Sequence, residues 1–204
     1  MQALASQILE STKGTAEGRV YTAREFLHLG KRPAVDQALS RLTKEGACLR
    51  IARGRYVLPV KTRFGSRAPS PALVVESIAR MTGENVATSG AVAANELGLT
   101  TQVPIRSVFL TSGKSRHLRV GKQVIEMKHA ATWRLKAPGE TTGNAIRALT
   151  WLGRAHAARA IAHLHETLSV TEKEQLLAAR AAQIPTWLAQ ELSKLSPEKG
   201  EIAR

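Results

Sequence analysis

The chain has 204 residues, of which 43% are hydrophobic, and this is enough for one small and one medium-sized packed domain. Its single cysteine, Cys48, excludes an intramolecular disulfide. No signal peptide and no apolar run of transmembrane length is evident, because residues 1–11 are too short and are interrupted by Gln and Ser. A cytoplasmic protein is therefore expected.

The charge of the chain is strongly positive and unevenly distributed. The formal net charge is +14, and residues 31–67 contain ten basic and two acidic residues, an excess of +8. Such an excess attracts a polyanion and makes its binding steeply dependent on salt. An anionic membrane is the rival to nucleic acid, but no polybasic amphipathic helix or lipidation signal accompanies the charge.

Two short helices in succession are predicted near the N terminus. Thr22 and Glu25 have the spacing of a capping box, so a first helix is expected to begin there and to end at Gly30. Pro33 suits the first position of the second helix, because its missing N–H would have no intrahelical partner there. The second helix is expected to run to about Glu45, where a glycine follows.

The second helix has one apolar and one polar face. Residues at helical spacing form a stripe for a core, and these are Val35, Ala38, Leu39 and Leu42. The opposite face carries Gln37, Ser40, Arg41 and Lys44. A helix of this length, about 20 Å, fits the major groove of B-DNA, where glutamine can pair with adenine and arginine with guanine. An ordinary amphipathic helix with a solvated polar face explains the pattern equally well.

The next segment predicts a hairpin around Arg53-Gly54, a pair compatible with a turn. One side of the alternation is apolar and consists of Leu49, Ile51, Tyr56 and Leu58. The other side consists of Arg50, Arg53, Arg55 and Val57. Arginine is a planar fork of donors suited to phosphate or to a narrow minor groove, so this wing favours contact with DNA.

The N-terminal pattern as a whole predicts a winged helix-turn-helix that binds double-stranded DNA. Gln37 and Arg41 are expected to read bases. Lys31, Arg32, Lys44 and the hairpin arginines are expected to contact phosphates. The DNA-binding residues expected are Thr22, Lys31, Arg32, Gln37, Ser40, Arg41, Lys44, Arg50, Arg53 and Arg55.

A change in composition predicts where this domain ends. Residues 63–70 mix Gly, Pro, Ser and basic residues without a period, which is typical of a linker. We expect a winged helix-turn-helix domain over 1–62, a linker over 63–70, a C-terminal domain over 71–196 and a tail over 197–204. The fold class is α+β, with a mixed α/β C-terminal domain and a helical C-terminal region.

The C-terminal domain alternates short strands and helices before it becomes helical. Strands are expected at 85–88 and 105–111, with a hairpin at 117–129, which indicates a small mixed sheet. Helices are expected at 71–81, 89–97, 140–152, 154–168, 171–182 and 185–195.

Several apparent catalytic signals fail. Residues 111–115 contain Gly-Lys-Ser, but a P-loop needs a glycine where Val108 stands. Asp36 is the only aspartate, so no acidic pair for a metal is convincing. His156 and His163 can share a helical face, yet no further ligand completes a zinc set, and ordinary histidines explain them better. Cys48 is interpreted as a packing residue rather than a nucleophile.

These failures favour a binding protein. We expect no enzyme activity, no catalytic residues, no metal and no cofactor. Basic residues on or near the second hairpin are a candidate partner surface for an acidic protein or a nucleic acid, although solvated hairpin charge explains them as well. They are Lys114, Arg116, Arg119, Lys122 and Lys128.

Two N-terminal runs and two later ones resemble a known family. The runs Lys31-Arg32-Pro33-Ala34-Val35-Asp36-Gln37-Ala38-Leu39-Ser40-Arg41-Leu42 and Arg50-Ile51-Ala52-Arg53-Gly54-Arg55-Tyr56 resemble the N-terminal winged helix of AbiEi-type antitoxins, specifically the DUF6088 branch. The runs Ala93-Ala94-Asn95-Glu96-Leu97-Gly98-Leu99 and Gly121-Lys122-Gln123-Val124-Ile125-Glu126-Met127-Lys128-His129 also resemble that branch. The resemblance extends to about Trp151 and fades in the C-terminal helices.

The resemblance implies an antitoxin of an abortive-infection toxin–antitoxin pair. Its N-terminal winged helix would bind inverted repeats in its own promoter and repress the operon, and its C-terminal domain would counteract a nucleotidyltransferase-like toxin. Whether the two proteins touch directly, and whether the chain self-associates on DNA, is left open by the sequence. The alternative is a stand-alone winged-helix regulator whose C-terminal domain senses a ligand or dimerises.

Overall fold

The computed structural model describes residues 2–137, 139–179 and 184–195, and its fold is α+β. Its helices are α1 (Gln2–Ser11), α2 (Arg32–Lys44), α3 (Pro71–Thr82), α4 (Gly90–Glu96), α5 (Thr141–Leu152), α6 (Arg154–Thr167), α7 (Val170–Ala178) and α8 (Thr186–Ser193). Its strands are β1 (Val20–Tyr21), β2 (Leu49–Ala52), β3 (Arg55–Val57), β4 (Val60–Thr62), β5 (Gly65–Arg67), β6 (Val86–Thr88), β7 (Ser107–Thr111), β8 (Arg116–Val120) and β9 (Gln123–His129).

The chain forms two compact units that do not follow chain order. The first unit consists of Met1–Glu84 together with Ser115–Met127, and the second of Asn85–Lys114 together with Lys128–Arg204. The hairpin β8–β9 belongs largely to the first unit because β8 contacts β2 there. The predicted domain limits at 62, 70 and 196 concern function as well as structure and stay predictions.

One hydrophobic core lies in the N-terminal part of the first unit. It is lined by α1, α2 and the small sheet, and Tyr21 stacks on Phe26 with 5.8 Å between ring centroids. The buried face of α2 is the one that the sequence predicts, consisting of Val35, Ala38, Leu39 and Leu42. Burial of such side chains contributes about 1.5–3 kcal/mol each, which fixes the orientation of α2.

The sheet of the first unit has three antiparallel strands in the order β1-β3-β2. The predicted hairpin between β2 and β3 is present, but β1 adds a third strand that pairs Val20 with Val57 and Tyr21 with Tyr56. The pairing of β2 with β3 shifts between Arg50 and Ala52. Val57 lies on the central strand β3, between β1 and β2, and is fully buried. Its predicted place on the exposed side of the hairpin with the arginines was therefore wrong.

One further local prediction was wrong, and the structure adds a strand pair where no period was evident. The capping-box carboxylate of Glu25 accepts a hydrogen bond from the Thr22 N–H at 2.8 Å, as expected. The helix that follows this cap is a four-residue 3₁₀ helix, Ala23–Phe26, and does not reach Gly30. The segment predicted as a linker begins within the hairpin β4–β5, in which Val60 pairs with Arg67. Backbone pairing of this kind satisfies polar groups that an irregular linker would leave to water.

The second unit combines antiparallel strands with a helical bundle. Strand β6 pairs with β7, and α4 begins at Ser89, whose hydroxyl accepts from the Val92 N–H at 3.4 Å. Helices α5 to α8 share a core that includes Leu149, Leu164 and Leu188. Every predicted helix and strand of this region has a counterpart, although the strand expected at 105–111 begins at Ser107 and α7 is capped by Ser169. The predictions for 180–182 and for the tail 197–204 lie outside the described residues.

Candidate nucleic-acid interface

Helix α2 presents its polar side chains to solvent in one direction. Lys31 caps the helix, Arg32 is its first residue and Pro33 its second, one position later than predicted. Because the core fixes the opposite stripe, the outward orientation of the polar face follows from packing. The exposed polar residues on this helix and its cap include Lys31, Arg32, Gln37, Ser40, Arg41 and Lys44.

Two arginines of α2 form ion pairs along the helix. Arg32 Nε lies 2.8 Å from Asp36 Oδ2, and Arg41 Nε lies 2.8 Å from Glu45 Oε1. All four side chains are about half exposed, so each pair contributes only about 0.3–0.5 kcal/mol. These pairs hold the guanidinium groups in position but cost little to exchange for a phosphate or a base.

The hairpin β2–β3 places three arginines close together in the chain. Arg53 is exposed at the turn, which Gly54 closes with a φ of +68°, while Arg50 is exposed and Arg55 is half-buried. Within the described parts of the chain, no carboxylate pairs with Arg50, Arg53, Arg55, Lys31 or Lys44.

Other arginines of the first unit do have acidic partners. Elsewhere in the first unit Arg19 lies 3.3 Å from Glu25, and Arg67 lies 3.0 Å from Glu17. The two acidic residues within 31–67 are already engaged by Arg32 and Arg41. The cations without an acidic partner on α2, its cap and the following hairpin, together with the overall positive charge of this segment, produce a positive field there.

Thr22 differs from the other predicted DNA-binding residues. Its N–H and its hydroxyl both face the Glu25 carboxylate, at 2.8 and 3.3 Å, and the side chain is partly buried. The hydroxyl therefore already has an acceptor within the protein.

The predicted partner surface does not form one group of equivalent cations. Arg116 lies on the strand face of Leu118 and Val120, and its guanidinium is 2.7 Å from the Glu84 carboxylate, with both side chains mostly buried. Arg119 and Lys122 are exposed on the hairpin in the first unit. Lys114 and Lys128 are exposed and belong to the second unit.

The sequence pattern did not predict the basic hairpin β4–β5. Lys61, Arg63 and Phe64 are all exposed on it, and the Arg63 guanidinium lies 4.6 Å from the centre of the Phe64 ring. A Phe-Gly pair between basic residues was the available signal, but the segment lacks the apolar alternation that usually identifies a strand pair.

The remaining chemical candidates have structural explanations or incomplete sites. Cys48 is 3% exposed, and burial raises the pKa of its thiol, which agrees with a packing role. Residues 111–115 form the end of β7 and a turn in which the Gly113 N–H donates to Thr111 Oγ1 at 3.0 Å. No group of three or more His, Cys, Asp or Glu side chains suited to a metal occurs in the part of the chain that the structure describes.

The structure brings His156 and His163 together around a cavity of about 320 Å³ in the second unit. Arg159 lies between them on the same face of α6, and the opposite wall is residues 98–101, with Gly98 at a φ of +68°. His165 does not line this cavity. No acidic residue lines it either, so its chemistry suits a small anion.

Arg147 is a fully buried arginine in α5 of the second unit. It donates to the backbone carbonyls of Arg134 and Lys136, both at 3.3 Å, and to Asn144 Oδ1 at 2.6 Å. Burial lowers the pKa of its guanidinium below the ordinary arginine value. These bonds tie the segment before α5 to the helix, which is a structural role.

A family model described as "Family of unknown function (DUF6088)" matches residues 7–176, which is most of the chain. The chain belongs to the DUF6088 family. This confirms the DUF6088 part of the resemblance found in the sequence and does not bear on its antitoxin part. Among curated proteins nothing matches this member of the family.

One solved structure shares the fold of this DUF6088 protein. The RV2827C protein from Mycobacterium tuberculosis is similar to it with a TM-score of 0.56 and 16% sequence identity, over 95% of this chain and 76% of that chain. At this identity the likeness concerns the fold alone. No helix among the described residues of this family member has the length and apolar character needed to cross a membrane.

Proposed function

We propose that this protein is a DNA-binding antitoxin and autorepressor that acts through the first unit on double-stranded DNA. The observation that carries the proposal is the combination of an exposed polar face on α2 with a following hairpin of arginines that have no acidic partner in the described chain. The role is a binding role rather than an enzymatic one.

The order of elements supports a winged helix-turn-helix. Helix α1, strand β1, the 3₁₀ helix, α2 and the hairpin β2–β3 follow each other in the chain, and β1 joins the hairpin strands in one sheet. In this interpretation the 3₁₀ helix and α2 are the helix-turn-helix, α2 is the recognition helix, and β2–β3 is the wing. A helix of 13 residues spans about 20 Å, which suits the major groove.

The residues divide into base-reading and phosphate-binding groups. Gln37 and Arg41 are the base-reading candidates, because amide and guanidinium groups make bidentate contacts to adenine and guanine. Arg41 must exchange its partner Glu45 for a guanine, and the cost of about 0.3–0.5 kcal/mol is small against about 1–3 kcal/mol for a good base contact. The cations of the helix cap and wing neutralise phosphates.

The antitoxin part of the proposal comes from the resemblance to AbiEi-type antitoxins. The chain would bind inverted repeats in its own promoter in the cytoplasm, as a dimer or as cooperating monomers. It would also counteract a nucleotidyltransferase-like toxin, with the region after the winged helix responsible. Co-expression with the neighbouring gene product, scored by growth rescue and co-purification, tests this part.

Two variants test the division of DNA contacts. Gln37→Ala should reduce discrimination between the promoter and random DNA by about 1–3 kcal/mol if it removes a bidentate base contact. Arg53→Ala should weaken binding to both duplexes by a similar factor. It should also reduce the slope of log affinity against log salt concentration by about one unit. The measurement is fluorescence anisotropy of labelled duplexes over a series of salt concentrations.

Matched substitutions control that experiment. Glu76→Gln changes an exposed polar side chain elsewhere in the first unit and should leave discrimination unchanged. If Gln37→Ala loses affinity equally for promoter and random DNA, the proposed base contact of Gln37 is wrong. If the unmodified protein binds neither duplex at low salt, the proposed DNA-binding function is refuted.

The cavity around His156, Arg159 and His163 favours a second candidate function, a stand-alone regulator whose second unit senses an anionic ligand. Titration of the full chain with inorganic phosphate, followed by calorimetry and by operator affinity, separates the two functions. Phosphate binding that Arg159→Ala abolishes, together with no adjacent nucleotidyltransferase gene, would favour the regulator.

A further inference from the structure

We propose that the hairpin β4–β5 is a second DNA contact, in which Phe64 enters the minor groove as an aromatic wedge beside Arg63. The inference rests on the proposed DNA-binding function, because the ligand is the same duplex. It adds a residue that shapes the DNA and a contact outside α2 and the hairpin β2–β3.

The tip of this hairpin is held in one conformation. Thr62 Oγ1 donates to the Gly65 carbonyl at 2.8 Å and accepts from the Phe64 N–H at 3.2 Å. Gly65 has a φ of +113°, a conformation that other residues rarely adopt. These bonds define the backbone of the turn that carries Phe64 in the absence of a ligand.

The base of the hairpin is also anchored. Both terminal nitrogens of Arg67 donate to the Glu17 carboxylate, at 3.0 and 3.1 Å, and the same carboxylate accepts from the Ser70 N–H at 2.8 Å. A bidentate arginine–carboxylate pair of this kind gives a defined geometry. The base of the hairpin is thus tied to Glu17, which lies far from it in the chain but in the same unit.

Phe64 is 86% exposed, whereas Phe26 in the same unit is 3% exposed. Phenylalanine buries about 150–250 Å² when it packs, so an aromatic side chain held outward forgoes stabilisation that folding would normally provide. The Arg63 guanidinium, 4.6 Å from the ring centre, is its stacking neighbour. Packing inside the protein does not explain this residue.

Charge indicates DNA rather than an apolar protein as the occupant. Residues 60–67 contain three basic and no acidic residues, and the one carboxylate that pairs with them among the described residues, Glu17, is engaged by Arg67. In the described chain Lys61 and Arg63 have no acidic partner. Apolar wedges that part base steps, and arginines inserted into a narrow minor groove, are established ways of binding and bending a duplex.

The test compares Phe64→Ala and Phe64→Trp in the full chain with the unmodified protein. The probes are a duplex from the chain's own promoter and a random duplex of equal length, each carrying donor and acceptor dyes at its ends. Phe64→Ala should weaken promoter binding about tenfold and reduce the bend reported by energy transfer, because base–aromatic contact is lost. Phe64→Trp should retain both properties.

Ile105→Ala, which truncates a fully exposed apolar side chain in the second unit, is the matched control and should change neither property. Since Phe64 is exposed, equal melting temperatures are expected for all variants. If Phe64→Ala binds and bends DNA like the unmodified protein, the wedge is refuted while the proposed function stands. A change confined to self-association or toxin co-purification would also refute it and would assign the hairpin to a protein interface. If the unmodified protein binds neither duplex, both proposals fail.

Discussion

At the scale of single residues, two arginines show how context decides the role of one side chain. Arg41 is exposed and pairs with Glu45, so its guanidinium can change partner at low cost. Arg147 is fully buried and bonds to backbone carbonyls, so its guanidinium cannot leave without stranding them. Sequence patterns identify both as basic residues in helices and do not distinguish them.

Arg147→Ala should destabilise the protein by about 2–4 kcal/mol, because the carbonyls of Arg134 and Lys136 lose their buried donor. The measurement is urea denaturation followed by circular dichroism. Arg159→Ala, an exposed change on the neighbouring helix α6, should alter the free energy of unfolding by less than about 0.5 kcal/mol. A similar small effect for Arg147→Ala would contradict the structural role given to it.

At the scale of secondary-structure elements, the hairpin β4–β5 depends on one carboxylate. Glu17 precedes β1 in the chain, yet it binds Arg67 and the Ser70 N–H at the end of the hairpin. The bond from Arg67, the bond from the Ser70 N–H and the positive charge of Arg67 lower the pKa of the Glu17 carboxyl below its ordinary value. The ionised form is therefore the one that holds the hairpin.

The pH dependence of stability tests this anchor. Because the folded-state pKa of Glu17 is lowered, its contribution is present above the unfolded value near 4.5 and is lost as pH falls through the folded pKa. Glu17→Gln should lower the melting temperature at pH 7, and the difference from the unmodified protein should shrink below about pH 4.5. Glu10→Gln, at an exposed pair on α1, is the control. A difference as large at pH 3 as at pH 7 would show that the carboxylate charge is not responsible.

At the scale of the whole molecule, chain order and compact units do not coincide. Residues 115–127 belong to the first unit, although residues 85–114, which precede them in the chain, belong to the second. Helix α3, beyond the predicted linker, also belongs to the first unit, since the Val20 N–H donates to the buried Ser77 hydroxyl at 2.8 Å and Gly18 packs directly against Leu73. A fragment of the first 62 residues would therefore lack these contacts.

A fragment of residues 1–62 should lack a cooperative thermal transition, whereas the full chain should show one. The physical reason is that the fragment loses α3 and the hairpin β8–β9, both of which contact its remaining elements. Circular dichroism melting and limited proteolysis measure this difference. Residues 1–84 retain α3 and should be more protected than residues 1–62. A sharp transition for residues 1–62 near that of the full chain would support the domain limit expected from the sequence.

The sequence alone determined helices α2 to α8 and strands β2, β3 and β6 to β9, since periodicity, caps and turn residues act over a few positions, whereas α1, β1 and the hairpin β4–β5 were not predicted. It identified the apolar stripe of α2, from Val35 to Leu42, and the arginine hairpin around Gly54, because both patterns are local. Only the tertiary structure showed that Val57 is a buried central residue, that Arg116 pairs with Glu84, and that Phe64 stands outside the core. These facts depend on contacts between residues distant in the chain, whose pairing a local pattern does not encode.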